Sequence, residues 1–260
     1  MGRSERRGAG GRGTAHFGFR AVRPEDKASM VRAVFDGVAT RYDLMNDLMS
    51  GGVHRLWKAA MIDRLGPRPG MHLIDVAGGT GDIAFRFLGR VGGASPPARV
   101  TVCDASSAML EVGRGRAADR GLRRGIAWVA ADAASLPVAD MSVDAYTIAF
   151  GLRNVTDIAA VLAEARRALK PGGRFLCLEF SRVGAPLLGR LYDWYSFAVV
   201  PALGEVVAGD RQAYLYLVES IRRFPSQDAL ADMIAAAGLE RVKYRNLSAG
   251  VVAIHSAWRI

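Results

Sequence analysis

The stretch Ile74-Asp75-Val76-Ala77-Gly78-Gly79-Thr80-Gly81-Asp82 constrains the fold of this chain more than any other. Met71-His72-Leu73-Ile74 leads into it with the short apolar run of a buried parallel strand. Glycines at 78, 79 and 81 then let the backbone turn tightly and leave no side chain between it and a ligand. Ile83-Ala84-Phe85-Arg86-Phe87-Leu88 begins a mostly apolar helix. Strand, glycine turn and helix in that order predict a unit of an open α/β sheet. The crevice at the strand's carboxyl end is where such sheets take nucleotide-like ligands.

The rest of the chain extends that unit. Strands are predicted at about 71–76, 99–104, 126–131, 143–150 and 173–180. Helices are predicted at about 81–90, 106–119 and 156–169, with Lys170-Pro171-Gly172-Gly173 as a stop signal. That alternation implies a parallel sheet with right-handed crossovers. Ahead of it, Val31, Val34, Phe35 and Val38 keep helical spacing, as do Leu56, Ala60 and Leu65, and Pro67-Arg68-Pro69-Gly70 closes a helical cap over 25–69. An aromatic-rich insertion at 184–224 breaks the rhythm. A helix at about 227–237, stopped by Gly238, and two strands finish the chain. The expected organisation is a disordered basic arm over 1–24 and a single domain over 25–260.

At 260 residues, half of them hydrophobic, the chain can bury a real core. It has no apolar run near the ~20 residues of a membrane span and no signal-peptide apolar region at its start. Cys103 and Cys177 sit inside apolar runs, which suits buried free thiols in a reducing compartment and a cytoplasmic location. The four histidines and two cysteines show no ligand spacing, so no metal is expected. The net charge of +10 is uneven: residues 1–24 hold six arginines against one glutamate. Such an arm is a solvated tail, or a contact for anionic lipid or nucleic acid. Arg114, Arg116, Arg120, Arg123 and Arg124 form a second cluster on a helix end and loop.

The glycine turn by itself admits two ligands. Gly79-x-Gly81-x-x-Ala84 satisfies the loose dinucleotide fingerprint. Asp82 argues against it, because a carboxylate at the helix N-terminus repels a pyrophosphate. S-adenosylmethionine has no phosphate, and its sulfonium and ammonium groups favour nearby carboxylates. Asp82 is also explained as an ordinary acidic residue of a first helical turn. Asp104, ending the second strand, can accept both ribose hydroxyls of either cofactor. Asp132, ending the third, can accept from an adenine amine or simply form a turn. The fourth strand runs into Phe150-Gly151-Leu152-Arg153-Asn154-Val155, where a reacting group belongs. It lacks the proline-and-aromatic pattern of many enzymes that methylate nucleic-acid bases, so no nucleic-acid substrate is expected. Arg153 there can stabilise an oxyanion or form a structural salt bridge.

These blocks carry a resemblance. Tyr42-Asp43-Leu44-Met45-Asn46-Asp47-Leu48-Met49-Ser50, His54-Arg55-Leu56-Trp57-Lys58, Ala77–Asp82, Phe150–Val155, Leu178-Glu179-Phe180-Ser181 and Ala249-Gly250-Val251-Val252-Ala253 resemble the ubiquinone/menaquinone C-methyltransferases of the UbiE/MenG type. The likeness runs from His16 to the C-terminus. It implies a Rossmann-like class I methyltransferase fold: a mostly parallel seven-stranded sheet, helices on both faces, a helical cap and an insertion after the fifth strand. It implies S-adenosylmethionine as cofactor, held by Gly78, Gly79, Thr80, Gly81, Asp104, Asp132, Ala133 and the position of Ala149. Relatives often have Asn in place of Asp132 and can carry a serine in place of Ala149.

The implied reaction is C-methylation of a prenylated benzoquinol or naphthoquinol. A ring carbon is a poor nucleophile until a neighbouring hydroxyl, with pKa near 10, loses its proton. On this reading Arg153 stabilises the phenolate, Asn154 orients it and Tyr42 closes over the cofactor or substrate. Tyr42 is equally explained as a packed cap aromatic. His54 is a proton acceptor or a helix-surface histidine. The insertion, with Pro186-Leu187-Leu188 and Tyr192–Val200, is expected to guide a prenyl tail and touch the inner-membrane surface, or to pack on its own domain or a partner subunit. A quinone-biosynthesis complex and a homo-oligomer are both compatible with the sequence. Three other functions stay open: a methyltransferase for another lipid or phenol, an NAD-dependent oxidoreductase, and a non-catalytic cofactor-binding subunit.

Overall fold

The computed structural model describes residues 14–93, 95–122, 124–182 and 211–260. Seven strands form the central sheet: β3 (His72–Val76), β4 (Arg99–Asp104), β5 (Ile126–Ala130), β6 (Val143–Ala149), β7 (Leu169–Phe180), β8 (Glu240–Leu247) and β9 (Val252–Trp258). Their order is β5-β4-β3-β6-β7-β9-β8. The first five are parallel; β9 runs antiparallel to both β7 and β8.

Helices cover both faces, as the strand sequences require. On β3, Leu73 faces one side and Ile74 and Val76 the other. Leu73, Val102 and Leu178 pack with Trp57, Met61 and Ile62 of α3 (His54–Leu65), Phe87 of α4 (Asp82–Val91), Leu110 of α5 (Ser107–Asp119) and Leu217 of α7 (Arg211–Arg223). Ile74, Val76, Ile148 and Phe175 pack with Val161 and Leu162 of α6 (Ile158–Ala168) and Leu230 and Ile234 of α8 (Gln227–Ala236). Each fully buried aliphatic side chain contributes about 1.5–3 kcal/mol, so these two layers fix the sheet. Cys103 and Cys177 are buried free thiols within it.

The helices begin where the sequence supplies caps. Ser106 accepts from the Met109 amide to start α5, and Asp157 accepts from the Ala160 amide to start α6. The α3 helix ends on Gly66 in the left-handed conformation. The cap is α1 (Pro24–Val38), a 3₁₀ turn over Ala39–Arg41, α2 (Tyr42–Ser50) and α3. Among the described residues no helix is long and apolar enough to cross a membrane.

Three sequence expectations need correction. The arm expected to be disordered over 1–24 is ordered at its end: β1 (Ala15–Phe17) and β2 (Arg20–Val22) form a small hairpin. Lys170–Gly173 ends α6 but does not separate it from the next strand, because Leu169 already pairs with Val143 and the register shifts to absorb the glycines. The third strand stops at Ala130, so Asp132 lies beyond it in a turn, accepting from the Ala134 amide. The expected tail-guiding segments, Pro186–Leu188 and Tyr192–Val200, lie outside the described residues.

Candidate active site

β3 and β6 are neighbours, but their crossovers leave in opposite directions, β3 toward β4 and β6 toward β7. Their carboxyl ends therefore open a crevice. A pocket occupies it. Gly79, Asp104, Asp132 and Ala133 line one wall, and Phe150, Gly151 and Asn154 another; Val31, Phe35 and Tyr42 of the cap cover it. The two strand ends touch beneath it. A Cβ on Gly151 would lie 2.3 Å from the Ala77 Cβ, so only glycine fits there. Ala77 (φ 50°) and Phe150 (φ 58°) both hold left-handed conformations that cost non-glycine residues on the order of 1–3 kcal/mol. A Cβ on Gly78 would come 2.8 Å from Asp75 Oδ2, and one on Gly79 2.9 Å from the Met109 methyl. The glycine turn is thus pressed against the end of β3 at Gly78 and against α5 at Gly79.

The carboxylates divide into two groups. Asp104 ends β4 with Oδ2 accepting from the Gly79 amide and Oδ1 from the Ser106 amide. Burial raises its pKa, opposed by those two amides. The Ala105 amide adds to them, and the carboxylate still lines the pocket. Ser106 in turn donates to Asp36 of α1, tying the cap to this wall. Asp75 was missed as a site residue, although an acid inside an apolar strand is a visible anomaly. It is fully buried; its Oδ1 accepts from Thr147 and its Oδ2 has no hydrogen-bond partner among the described residues. Burial pushes its pKa up to about 7, opposed by the Thr147 bond and the Lys58 charge.

Asp82, open from sequence to a role beside a cationic cofactor or as an ordinary first-turn acid, pairs with Lys58 at 2.9 Å and Arg86 at 2.9 Å. Burial pushes it up, but those two cations outweigh the effect and hold it below the ordinary carboxylate range. It staples α3 to α4 and does not line the pocket. Thr80 is buried and accepts from Arg116. Gly78, Thr80 and Gly81 shape the turn from behind rather than lining the pocket, and Ala149 closes β6 just short of it. His54 is not on a helix surface: it is buried at the start of α3 with Nε2 2.9 Å from Asp47. Burial and the nearby Lys58 lower its pKa despite Asp47.

The 3₁₀ turn Leu152–Asn154 follows β6 and presents Asn154 to the pocket. Arg153 does not line it. Its Nη1 lies 3.0 Å from Glu179 Oε2 and 2.6 Å from the Phe150 carbonyl, and both side chains of the pair are buried. Arg153 thus meets the salt-bridge reading of its position, with Glu179 as the partner that sequence reasoning did not single out. Lys27 of α1 donates to the Val155 carbonyl at 2.6 Å, closing the turn from the cap side. Tyr42 lines the pocket beside Phe35, their ring centroids 6.3 Å apart.

The residues present suit a nucleoside that carries positive charge. Asp104 and Asp132 offer acceptor oxygens to the pocket, and the Asp75 oxygen that has no partner among the described residues lies under the glycine turn. The carboxylates around the turn do not suit a pyrophosphate. Sheet order, glycine turn and acid-ended β4 together define a class I methyltransferase, with S-adenosylmethionine as methyl donor.

The chain belongs to the ubiE/COQ5 methyltransferase family, whose model matches residues 22–259. A ubiquinone/menaquinone biosynthesis C-methyltransferase UbiE of Paracoccus denitrificans is 60% identical over 245 residues, covering 94% of this chain and 96% of that protein. The mitochondrial 2-methoxy-6-polyprenyl-1,4-benzoquinol methylase of Homo sapiens is 50% identical over 279 residues, covering 94% of this chain and 84% of that one. Among solved structures, a SAM-dependent methyltransferase of Thermotoga maritima superposes with a TM-score of 0.61 at 20% identity, covering 88% of this chain and 100% of that one. The [4+2]-cyclase SpnF superposes with a TM-score of 0.65 at 17% identity, covering 89% and 96%. These two likenesses show the fold alone.

Proposed function

We propose that this chain transfers a methyl group from S-adenosylmethionine to a ring carbon of a prenylated quinol, a 2-polyprenyl-6-methoxy-1,4-benzoquinol or a demethylmenaquinol. The observation that carries this reading is identity of 50–60%, across more than nine-tenths of the chain, with proteins named for those reactions. The pocket supports it by joining the cofactor wall to Asn154 and Tyr42 in one crevice.

When bound, the cofactor supplies an electrophilic methyl on a sulfonium. Asp104 holds the ribose hydroxyls, and Asp132 with Ala133 holds the adenine edge. Asp75 supplies negative charge beneath the turn, favouring a cation above it. Asn154 donates a hydrogen bond to the acceptor oxygen, stabilising the phenolate as charge develops. Electron density then moves to the adjacent ring carbon. Arg153, held by Glu179 behind the turn, fixes the backbone that carries Asn154. Direct contact of Arg153 with the phenolate, the reading its position first suggests, would require the Glu179 pair to open. Tyr42 and Phe35 close the pocket and align the ring, which supplies much of the acceleration.

The test is methyl transfer from labelled S-adenosylmethionine by the purified full chain, offered a reduced methoxybenzoquinol and a demethylnaphthoquinol in parallel. Label in one or both supports the proposal. Label in neither, with cofactor binding demonstrated, overturns it in favour of another lipid or phenolic acceptor.

A further inference from the structure

The Asn154 side chain is held at both ends. Its Nδ2 lies 3.5 Å from the Phe150 carbonyl, and its Oδ1 accepts from the Tyr216 hydroxyl at 3.0 Å. The Phe150 carbonyl is an acceptor only, so the amide nitrogen must face it and the amide oxygen must face Tyr216. The contact at the Phe150 end is long, and Arg153 already fills that carbonyl at 2.6 Å. Tyr216 therefore provides the stronger of the two restraints.

Tyr216 is itself fixed. It is 3% exposed, in the middle of α7. Its ring stacks on Phe17 of β1 with centroids 4.1 Å apart and planes 13° from parallel. The hairpin is pinned to the same helix by the Phe19 amide, which donates to Glu219 at 3.0 Å. Gly18 between them has φ 58°, a left-handed conformation that favours glycine, and it sits directly against the Glu219 side chain. Burial raises the Tyr216 pKa, which keeps the hydroxyl a donor.

We propose that Tyr216 is a positioning residue for methyl transfer, fixing the Asn154 amide so that an Nδ2 N–H remains for the acceptor oxygen. Flipped, the amide would set its oxygen against the Phe150 carbonyl and oppose a phenolate. This rests on the function proposed above, with Asn154 as the group that meets the acceptor.

Tyr216→Phe keeps the ring on Phe17 and removes only the hydroxyl. Turnover is expected to fall about tenfold, the effect of losing one restraining hydrogen bond. The KM for S-adenosylmethionine should not change. Combined with Asn154→Ala, the variant should be no slower than Asn154→Ala alone, because Tyr216 acts through Asn154. Wild-type turnover in Tyr216→Phe overturns the proposal, and so do losses that multiply in the double variant. The Asn154 side-chain amide resonances, followed by nitrogen-15 NMR without any acceptor, give a readout independent of substrate. They are expected to shift or broaden in Tyr216→Phe, and unchanged resonances overturn the proposal. Shifted resonances in a protein inactive on both quinols would support the positioning role and count against the acceptor class alone.

Discussion

Arg153 places a positive charge in the protein interior, and the buried carboxylate of Glu179 answers it. Removing one partner of such a pair leaves the other uncompensated, so Arg153→Ala should cost about 3–5 kcal/mol in stability. Arg153→Lys retains the charge and should cost clearly less. Urea unfolding of the three proteins checks this ordering, and equal stability of Ala and Lys variants would contradict it. Asp75 makes a pH-dependent prediction. Its pKa rises from an ordinary 3.8 to about 7 in the folded chain. Between those values the unfolded chain loses a proton that the folded chain keeps. Stability therefore falls as pH rises through this window, by on the order of 4 kcal/mol in full. A cation in the pocket favours the ionised carboxylate, so cofactor binding should expel a proton near pH 6 and tighten as pH approaches 7. Calorimetry in two buffers of different ionisation enthalpy detects that proton, and Asp75→Asn should abolish its release. No proton release in the wild type would contradict the assignment. Strand ends singled out Asp104 and Asp132 in the sequence, and the motif blocks Asn154 and Tyr42; all four line the pocket. These signals did not reveal what holds Asn154 and Arg153, because Glu179 and Tyr216 meet them only through the sheet and α7. The sequence left two readings of Asp82 open because its cations come from α3 and the next turn of its own helix, and only packing sets the first.

At the scale of elements, the site depends on two strand ends that turn in the left-handed region and touch. Gly151→Ala would drive a methyl into Ala77, overpacking worth about 1–3 kcal/mol. Because Ala77 leads into the glycine turn, cofactor affinity should fall along with stability. Thermal unfolding with and without S-adenosylmethionine reads both, and unchanged unfolding would show that the strand ends yield without strain. The core strands and helices were legible because burial on both faces produces unbroken apolar runs ended by glycine, proline and caps. The hairpin at Ala15–Val22 was not. Its strands are only three residues each, and its order comes from Phe17 on Tyr216 and Phe19 on Glu219, two contacts to a distant helix. The start of β7 was missed for a related reason: Lys170-Pro171-Gly172-Gly173 reads locally as a break, but Gly172 and Gly173 hydrogen-bond to Arg259 at the end of the chain.

At the scale of the molecule, a seven-stranded sheet opens one crevice at its topological switch, and a helical cap closes over it. The cap is fastened at both ends of α1, by Lys27 to the Val155 carbonyl and by Asp36 to Ser106. That geometry brings a cofactor and an acceptor together but does not name the acceptor atom, and a [4+2]-cyclase shares the fold. In the proposed reaction the phenolate directs its electrons to carbon. A quinol offers oxygen as the competing nucleophile, so the position of the new methyl is the most direct test. Carbon-13 NMR of the product made with methyl-labelled S-adenosylmethionine distinguishes a methyl on an aromatic carbon from a methoxy group. Label is expected on the ring carbon beside the hydroxyl; label on oxygen would contradict C-methylation.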